Sequence, residues 1–156
     1  MGDLDTDIVF MHMALKEAEN AADLGEVPIG AVVACGGAVV ASAANRRETL
    51  ADPTAHAEML AIRSASEHLG RWRLSDCTLY VTLEPCPMCA GALHQARIGR
   101  LVYGADEPKF GAVRSVMRAD DLRLNHRFEV VAGVREEDCR ALMVEFFRAK
   151  RSRDIG

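Results

Sequence analysis

Between positions 78 and 104 the chain carries a β-prone run at 78–83, then Cys86-Pro87-Met88-Cys89, helical character to about 96, and a short β-prone run at 101–104. Proline is favoured in a first helical turn, where its missing N–H costs no hydrogen bond and its φ is already helical. The order strand, helix, strand is that of a crossover unit, which needs a sheet with a helix packed on its face. No other stretch restricts the architecture so tightly.

The remaining segments extend that unit. Residues from about 6 to 24 carry apolar positions at helical spacing, including Val9, Met13 and Ala21, and Gly25 stands where a C-cap is expected. Two β-prone runs, 27–34 and 38–43, flank Cys35-Gly36-Gly37 and read as a hairpin, because glycines supply the positive φ of a tight reversal. Thr54 is placed to cap a helix over 55–69 that Gly70 closes. A strand is expected at 128–134. A final helix is expected from 136 to about 151, its basic end reaching 153, with Leu142, Phe146 and Phe147 available for packing. The predicted class is α/β: a three-layer α/β/α arrangement around a central mixed sheet of about five strands. The 156 residues suit one domain spanning 1–156. No apolar run is long enough to cross a bilayer, and the acidic start Met1-Gly2-Asp3-Leu4-Asp5 lacks the features of a signal peptide. The expected location is the cytoplasm, with no membrane partner.

With Cys86 at or near the N-cap and Pro87 at the first helical position, Cys89 falls in the first turn, and both sulfurs approach one point beyond the helix end. Exposed N–H groups and the helix dipole ease thiol ionisation there, and thiolate is the form that binds zinc. Alone, the pair fits a metal site, a redox motif or two buried thiols. His56-Ala57-Glu58 narrows the choice. His56 stands at a predicted helix start and offers a neutral nitrogen. Glu58, two residues on, does not share its helix face, so the two are not ligands of one kind. His56, Cys86 and Cys89 make three protein ligands with a place left for water, the pattern of a catalytic zinc rather than a structural one. The other three of the five cysteines, Cys35, Cys77 and Cys139, lack a paired spacing, and the last two read as small core residues. An open zinc site brings the pKa of water to near ~7. Glu58 can then carry a proton from that water to a ring and a departing amine, the shuttle that hydrolytic deamination requires. A redox reading explains neither His56 nor Glu58.

His56-x-Glu58 followed by Pro85-Cys86-x-x-Cys89 resembles the signature of the cytidine deaminase superfamily. Longer strings resemble the bacterial tRNA adenosine deaminases: residues 26–32, 52–58, 82–92 and 96–100, Asn125-His126-Arg127, and the Phe146-Phe147-Arg148 ending. The resemblance covers nearly the whole chain. It implies zinc on His56, Cys86 and Cys89, with Glu58 as the proton shuttle. It also implies that Asn45 bonds a flipped base, that Val27 and Leu83 line its pocket, and that the Ala57 N–H meets the base edge. The implied reaction converts the wobble adenosine of a tRNA anticodon stem-loop to inosine, in a homodimer whose subunits both shape the RNA site. One segment departs from the pattern: in 109–115, on the expected RNA side, Phe110 and Arg114 replace smaller residues.

A net charge of −4 exerts no global pull on nucleic acid, so RNA binding must use local patches. Arg148, Lys150, Arg151 and Arg153 put four positive charges in six residues. Such a run contacts phosphates or complements a helix C-terminus. The candidate RNA contacts are Lys109, Phe110, Arg148, Lys150 and Arg151, with Arg46, Arg47, Arg71 and Arg73 as a further basic rim and Trp72 as a second aromatic that could stack or pack. The same zinc and glutamate would serve a free-base or nucleoside deaminase of guanine or cytosine type. A non-catalytic zinc-binding module is the other alternative, against which Glu58 argues.

Overall fold

In the computed structural model, which describes residues 4–121 and 126–155, Gly36 (φ 62°) and Gly37 (φ 81°) turn the chain between β1 (Gly30–Cys35) and β2 (Ala38–Ala44). Two consecutive residues with positive φ match the right-handed twist of the flanking strands. β1 also pairs antiparallel with β3 (Cys77–Leu83), which runs parallel to β4 (Arg100–Ala105), itself parallel to β5 (Glu129–Ala132). The sheet is therefore mixed and five-stranded, in the order β2-β1-β3-β4-β5.

Side chains alternate across this sheet. Ala31, Val33, Leu79 and Leu101 pack beneath α2 (Ala57–Leu69) and α3 (Pro87–Gln95). Val32, Ala34, Tyr80 and Val102 face α1 (Leu4–Asp23) and α4 (Glu136–Ile155). Coverage of both faces explains why β1 and β3 are almost continuously apolar. Among the described residues no helix is long and apolar enough to cross a membrane.

Several expectations shift. In α1, Val9 and Met13 are exposed; the buried face is Phe10, Met11, Ala14, Leu15, Ala18 and Ala21. The cause lies in β1, where a Cβ at Gly30 would collide with the backbone of Ala14 and Ala18. The helix rests directly on the strand, which only its small-residue face permits. Asp7 locks the helix start from inside the core: it accepts hydrogen bonds from Arg100 Nη1 (2.7 Å) and Nη2 (2.6 Å) and from the Tyr80 hydroxyl (3.0 Å). Thr54 caps nothing, because its N–H and hydroxyl both donate to Asp52 Oδ1 at 2.8 Å, and α2 begins after His56 instead. α4 runs past the expected end, burying Cys139, half-burying Leu142 and Phe146 and leaving Phe147 exposed. Asn125 lies outside the described residues.

Candidate active site

Two helix starts on one face of the sheet meet at a single point. β3 ends at Leu83, and Cys86 becomes the N-cap of α3 with φ −75° and ψ 174°, Pro87 following in the first turn. His56 is the N-cap of α2, also extended at φ −72° and ψ 151°. The two cap side chains converge on one point between the helix ends. His56 Nδ1 lies 3.5 Å from Cys86 Sγ and 3.5 Å from Cys89 Sγ, and the three atoms lie within 4.8 Å of one another. A tetrahedral ion with bonds of about 2.3 Å to sulfur and about 2.0 Å to nitrogen has an N···S edge of about 3.5 Å. The donor set fits such an ion without rearrangement.

The charges in this cluster are tightly linked. A hydrogen bond from Cys89, joined by His56, lowers Cys86 to about 4. The same bond and burial push Cys89 upward, and the bond with Cys86 raises His56. Beside them Glu58 is buried, and among the described residues its Oε1 has no hydrogen-bond partner. Burial raises this carboxyl to about 7, where it can both accept and release a proton near neutral pH. An unpartnered buried carboxylate oxygen is costly to a fold, and here it faces a cavity.

That cavity, of about 750 Å³, is lined by Val27, Asn45, His56, Ala57, Glu58, Leu83 and Cys86, the residues expected from sequence apart from the buried Cys89. The Asn45 amide is braced rather than free: Nδ2 donates to Val27 O at 3.2 Å, and Oδ1 accepts from the Arg47 N–H at 3.3 Å. One amide hydrogen and one lone pair remain for a ligand. Ala57 opens α2, and its N–H has no acceptor within the helix. Arg47, Glu107, Lys109 and Phe110 form part of the rim, with Met143, Val144, Phe147 and Arg151 of α4 opposite. Arg148 and Lys150 are exposed on α4 but do not line the cavity. The other candidates lie elsewhere. Arg71 pairs with Asp76, Arg73 covers the Trp72 ring at 5.1 Å, and Arg114 pairs with Asp120.

Two buried carboxylates that sequence reasoning did not single out hold the walls in place. Glu84 accepts hydrogen bonds from the backbone N–H groups of Glu107 (3.0 Å), Val113 (3.0 Å), Arg114 (2.8 Å) and Ser115 (3.0 Å), and from the Ser115 hydroxyl. Burial pushes its pKa up, but the bonds from Arg114, Ser115 and Glu107 outweigh that and hold it below the usual value. The segment carrying Lys109 and Phe110 is thus pinned to the residue that precedes Pro85-Cys86. Glu26 does the same for the loop after Asn45, accepting from the N–H groups of Glu48 (3.1 Å) and Thr49 (2.6 Å) and from the Thr49 hydroxyl. The only sequence signal was an acidic residue beside an apolar run in each case.

Comparison with known proteins agrees with this fold. A tRNA-specific adenosine deaminase of Bacillus subtilis is 49% identical over 148 residues, which cover 94% of this chain and 92% of that protein. A structure solved in a study of A-to-I editing by tRNA:A34 deaminases at the wobble position of transfer RNA superposes with a TM-score of 0.83 at 48% identity, covering 85% of this chain and 97% of that one. A guanine deaminase from Nitrosomonas europaea shares the fold at 24% identity and a TM-score of 0.80, over 89% of this chain and 83% of that one. The family model for MafB19-like deaminases matches residues 5–151, and the chain belongs to that family, within the cytidine deaminase superfamily.

Proposed function

We propose that this chain is a zinc-dependent hydrolytic deaminase that converts adenosine to inosine at the wobble position of a tRNA anticodon. The observation that carries the reading is Glu58: a buried carboxyl with an unpartnered oxygen, beside three clustered metal donors, in the wall of a cavity of about 750 Å³ that has room for a purine and part of its neighbours. Zinc held by His56, Cys86 and Cys89 supplies a water activated at neutral pH. Glu58 takes a proton from the attacking water and delivers it to the purine ring nitrogen as the C–O bond forms. It then takes the proton of the new hydroxyl and gives it to the exocyclic amine as the C–N bond breaks and ammonia leaves. Its raised pKa suits both transfers. Asn45 and the Ala57 N–H orient the base, and Val27 and Leu83 close on its faces and exclude bulk water. A base inside the cavity has been turned out of its stack, so its neighbours lie at the mouth. There Phe110 and Phe147 offer stacking surfaces and Lys109 and Arg151 offer cations, with Arg148 and Lys150, exposed on α4 outside the cavity, for more distant phosphates. The high identity to tRNA-specific adenosine deaminases supports RNA over a free base. The same reading places the enzyme in the cytoplasm as a homodimer, which sedimentation of the zinc-loaded protein tests.

The direct test incubates the zinc-loaded protein with an adenosine-containing anticodon stem-loop and measures inosine by nucleoside analysis, with Glu58→Ala as the control. Inosine from the wild type alone is the expected result. A folded, zinc-loaded protein that makes none, yet deaminates guanine or cytosine, would move the assignment to a free-base enzyme.

A further inference from the structure

Cys35 ends β1 and Cys77 begins β3, far apart in sequence but directly opposite one another in the antiparallel pair. The Cys77 N–H donates to Leu74 O (3.0 Å), and Cys77 O accepts from the Gly99 N–H (3.2 Å), so the backbone polar groups of Cys77 are engaged away from β1. The two cysteines therefore form a non-hydrogen-bonded cross-strand pair, in which Cα atoms lie about 4.5 Å apart with side chains on one face. A disulfide spans Cα separations of about 4.4–6.8 Å. The two sulfurs and an Asp76 carboxylate oxygen lie within 4.8 Å of one another.

The surroundings differentiate the two thiols. Cys35 is partly exposed at the hairpin and Cys77 is buried. Asp76 accepts from both, at Oδ2 from Cys35 (3.4 Å) and at Oδ1 from Cys77 (3.6 Å). Arg71 Nη2 lies 3.8 Å from Cys35 Sγ. Burial pushes Cys77 up to about 12 and keeps it a thiol. One sulfur is thus reachable from solvent, and the other waits behind it.

We infer that Cys35 and Cys77 are a redox-active pair that closes to an intramolecular disulfide when the protein meets a peroxide. The Cys35 sulfur attacks one oxygen of hydrogen peroxide; an S–O bond forms, the O–O bond breaks, and the hydroxide released takes up the Cys35 proton to become water. Cys77 sulfur then attacks the sulfenic sulfur of Cys35. The S–S bond forms, the S–O bond breaks, and the Cys77 proton passes by way of Asp76 to the departing hydroxide. Two thiols and one peroxide give one disulfide and two waters. A divalent cation is a poorer occupant, because the Arg71 guanidinium already holds both Asp76 oxygens, at 2.8 and 3.0 Å. A disulfide leaves that ion pair intact. The bridge would close a loop carrying Asn45, His56 and Glu58, from the end of β3 opposite Cys86.

The test treats the full-length, zinc-loaded protein with hydrogen peroxide, alkylates it under denaturing conditions and maps its peptides by mass spectrometry. The expected product is a Cys35–Cys77 linked peptide lacking two hydrogens, reversed by dithiothreitol and absent in Cys35→Ser. The oxidised protein should also melt several degrees above the reduced one, since the cross-link restricts the unfolded chain. Wild type alkylated at Cys35 before oxidation gives the same control if Cys35→Ser folds poorly. Cys35 advancing to sulfinic acid while Cys77 stays a free thiol would overturn the proposal, as would Cys86–Cys89 linking first. A second equivalent of Zn²⁺, bound by wild type but not by Cys35→Ser and shielding both thiols from peroxide, would make this a metal site instead.

Discussion

Replacing Glu58 with glutamine keeps the shape of the side chain and removes its charge. Burial raises this carboxyl from 4.5 to about 7, a difference of two and a half units at about 1.4 kcal/mol each. Ionising it inside the metal-free protein therefore costs about 3 kcal/mol. The folded chain keeps a proton that the unfolded chain releases, so metal-free wild type loses stability as pH rises from about 4.5 to about 7. Below that window the cost is absent, and above it the cost is complete. Glutamine carries no such dependence. Urea unfolding of chelator-treated wild type and Glu58→Gln at several pH values should show the variant gaining on wild type by about 3 kcal/mol across the window. Zinc should shrink the gap, because a nearby cation favours the carboxylate. The loaded variant should keep its metal and lose turnover. A stability difference that does not change with pH would refute burial as the source of the shift. A gap unaffected by zinc would refute the placement of Glu58 beside the metal.

Three other sets of substitutions separate the parts of the site. Glu84→Gln sets an amide N–H₂ against backbone donors, so KM for the stem-loop should rise roughly tenfold or more while zinc content holds, which steady-state kinetics and metal analysis would check; one lost buried hydrogen bond at about 1.4 kcal/mol suffices. His56→Ala and Cys89→Ala should each lose zinc and melt well below wild type, whereas Glu58→Ala keeps both; equal zinc loss in all three would contradict the division of roles. Phe110→Ala should weaken binding of a stem-loop by about five- to a hundredfold in a titration, the worth of one base stacked on an aromatic ring.

The chemistry was legible because it is local. Proline after Cys86, two cysteines in one turn and a histidine at a second helix start are readable without the fold, and both helices start where those residues demand. The hairpin was equally plain from Gly36-Gly37. What sequence concealed was non-local. α1 is apolar almost all round at Ile8, Val9, Phe10, Met11 and Met13, so periodicity alone could not say that Gly30 would select the alanine face. Thr54 resembled a cap until Asp52 took its hydroxyl. Cys35 and Cys77 had no paired spacing, since sheet register rather than sequence distance sets them opposite one another. Glu84 gave no sign of its work because its partners are mostly backbone N–H groups of a loop more than twenty positions away.

That loop has an evolutionary consequence. Glu84 grips residues 107–115 mostly by the main chain, and of the side chains there only the Ser115 hydroxyl is drawn into the grip. The path of the segment is therefore largely indifferent to what stands at 109, 110 or 114. Side chains there can be exchanged and leave the Glu84 bonds to the main chain undisturbed. Under the proposed function, new preferences for the bases flanking a target would arise there in single steps, each nearly neutral for folding, while a change at Glu84 itself would alter the frame for every one of them.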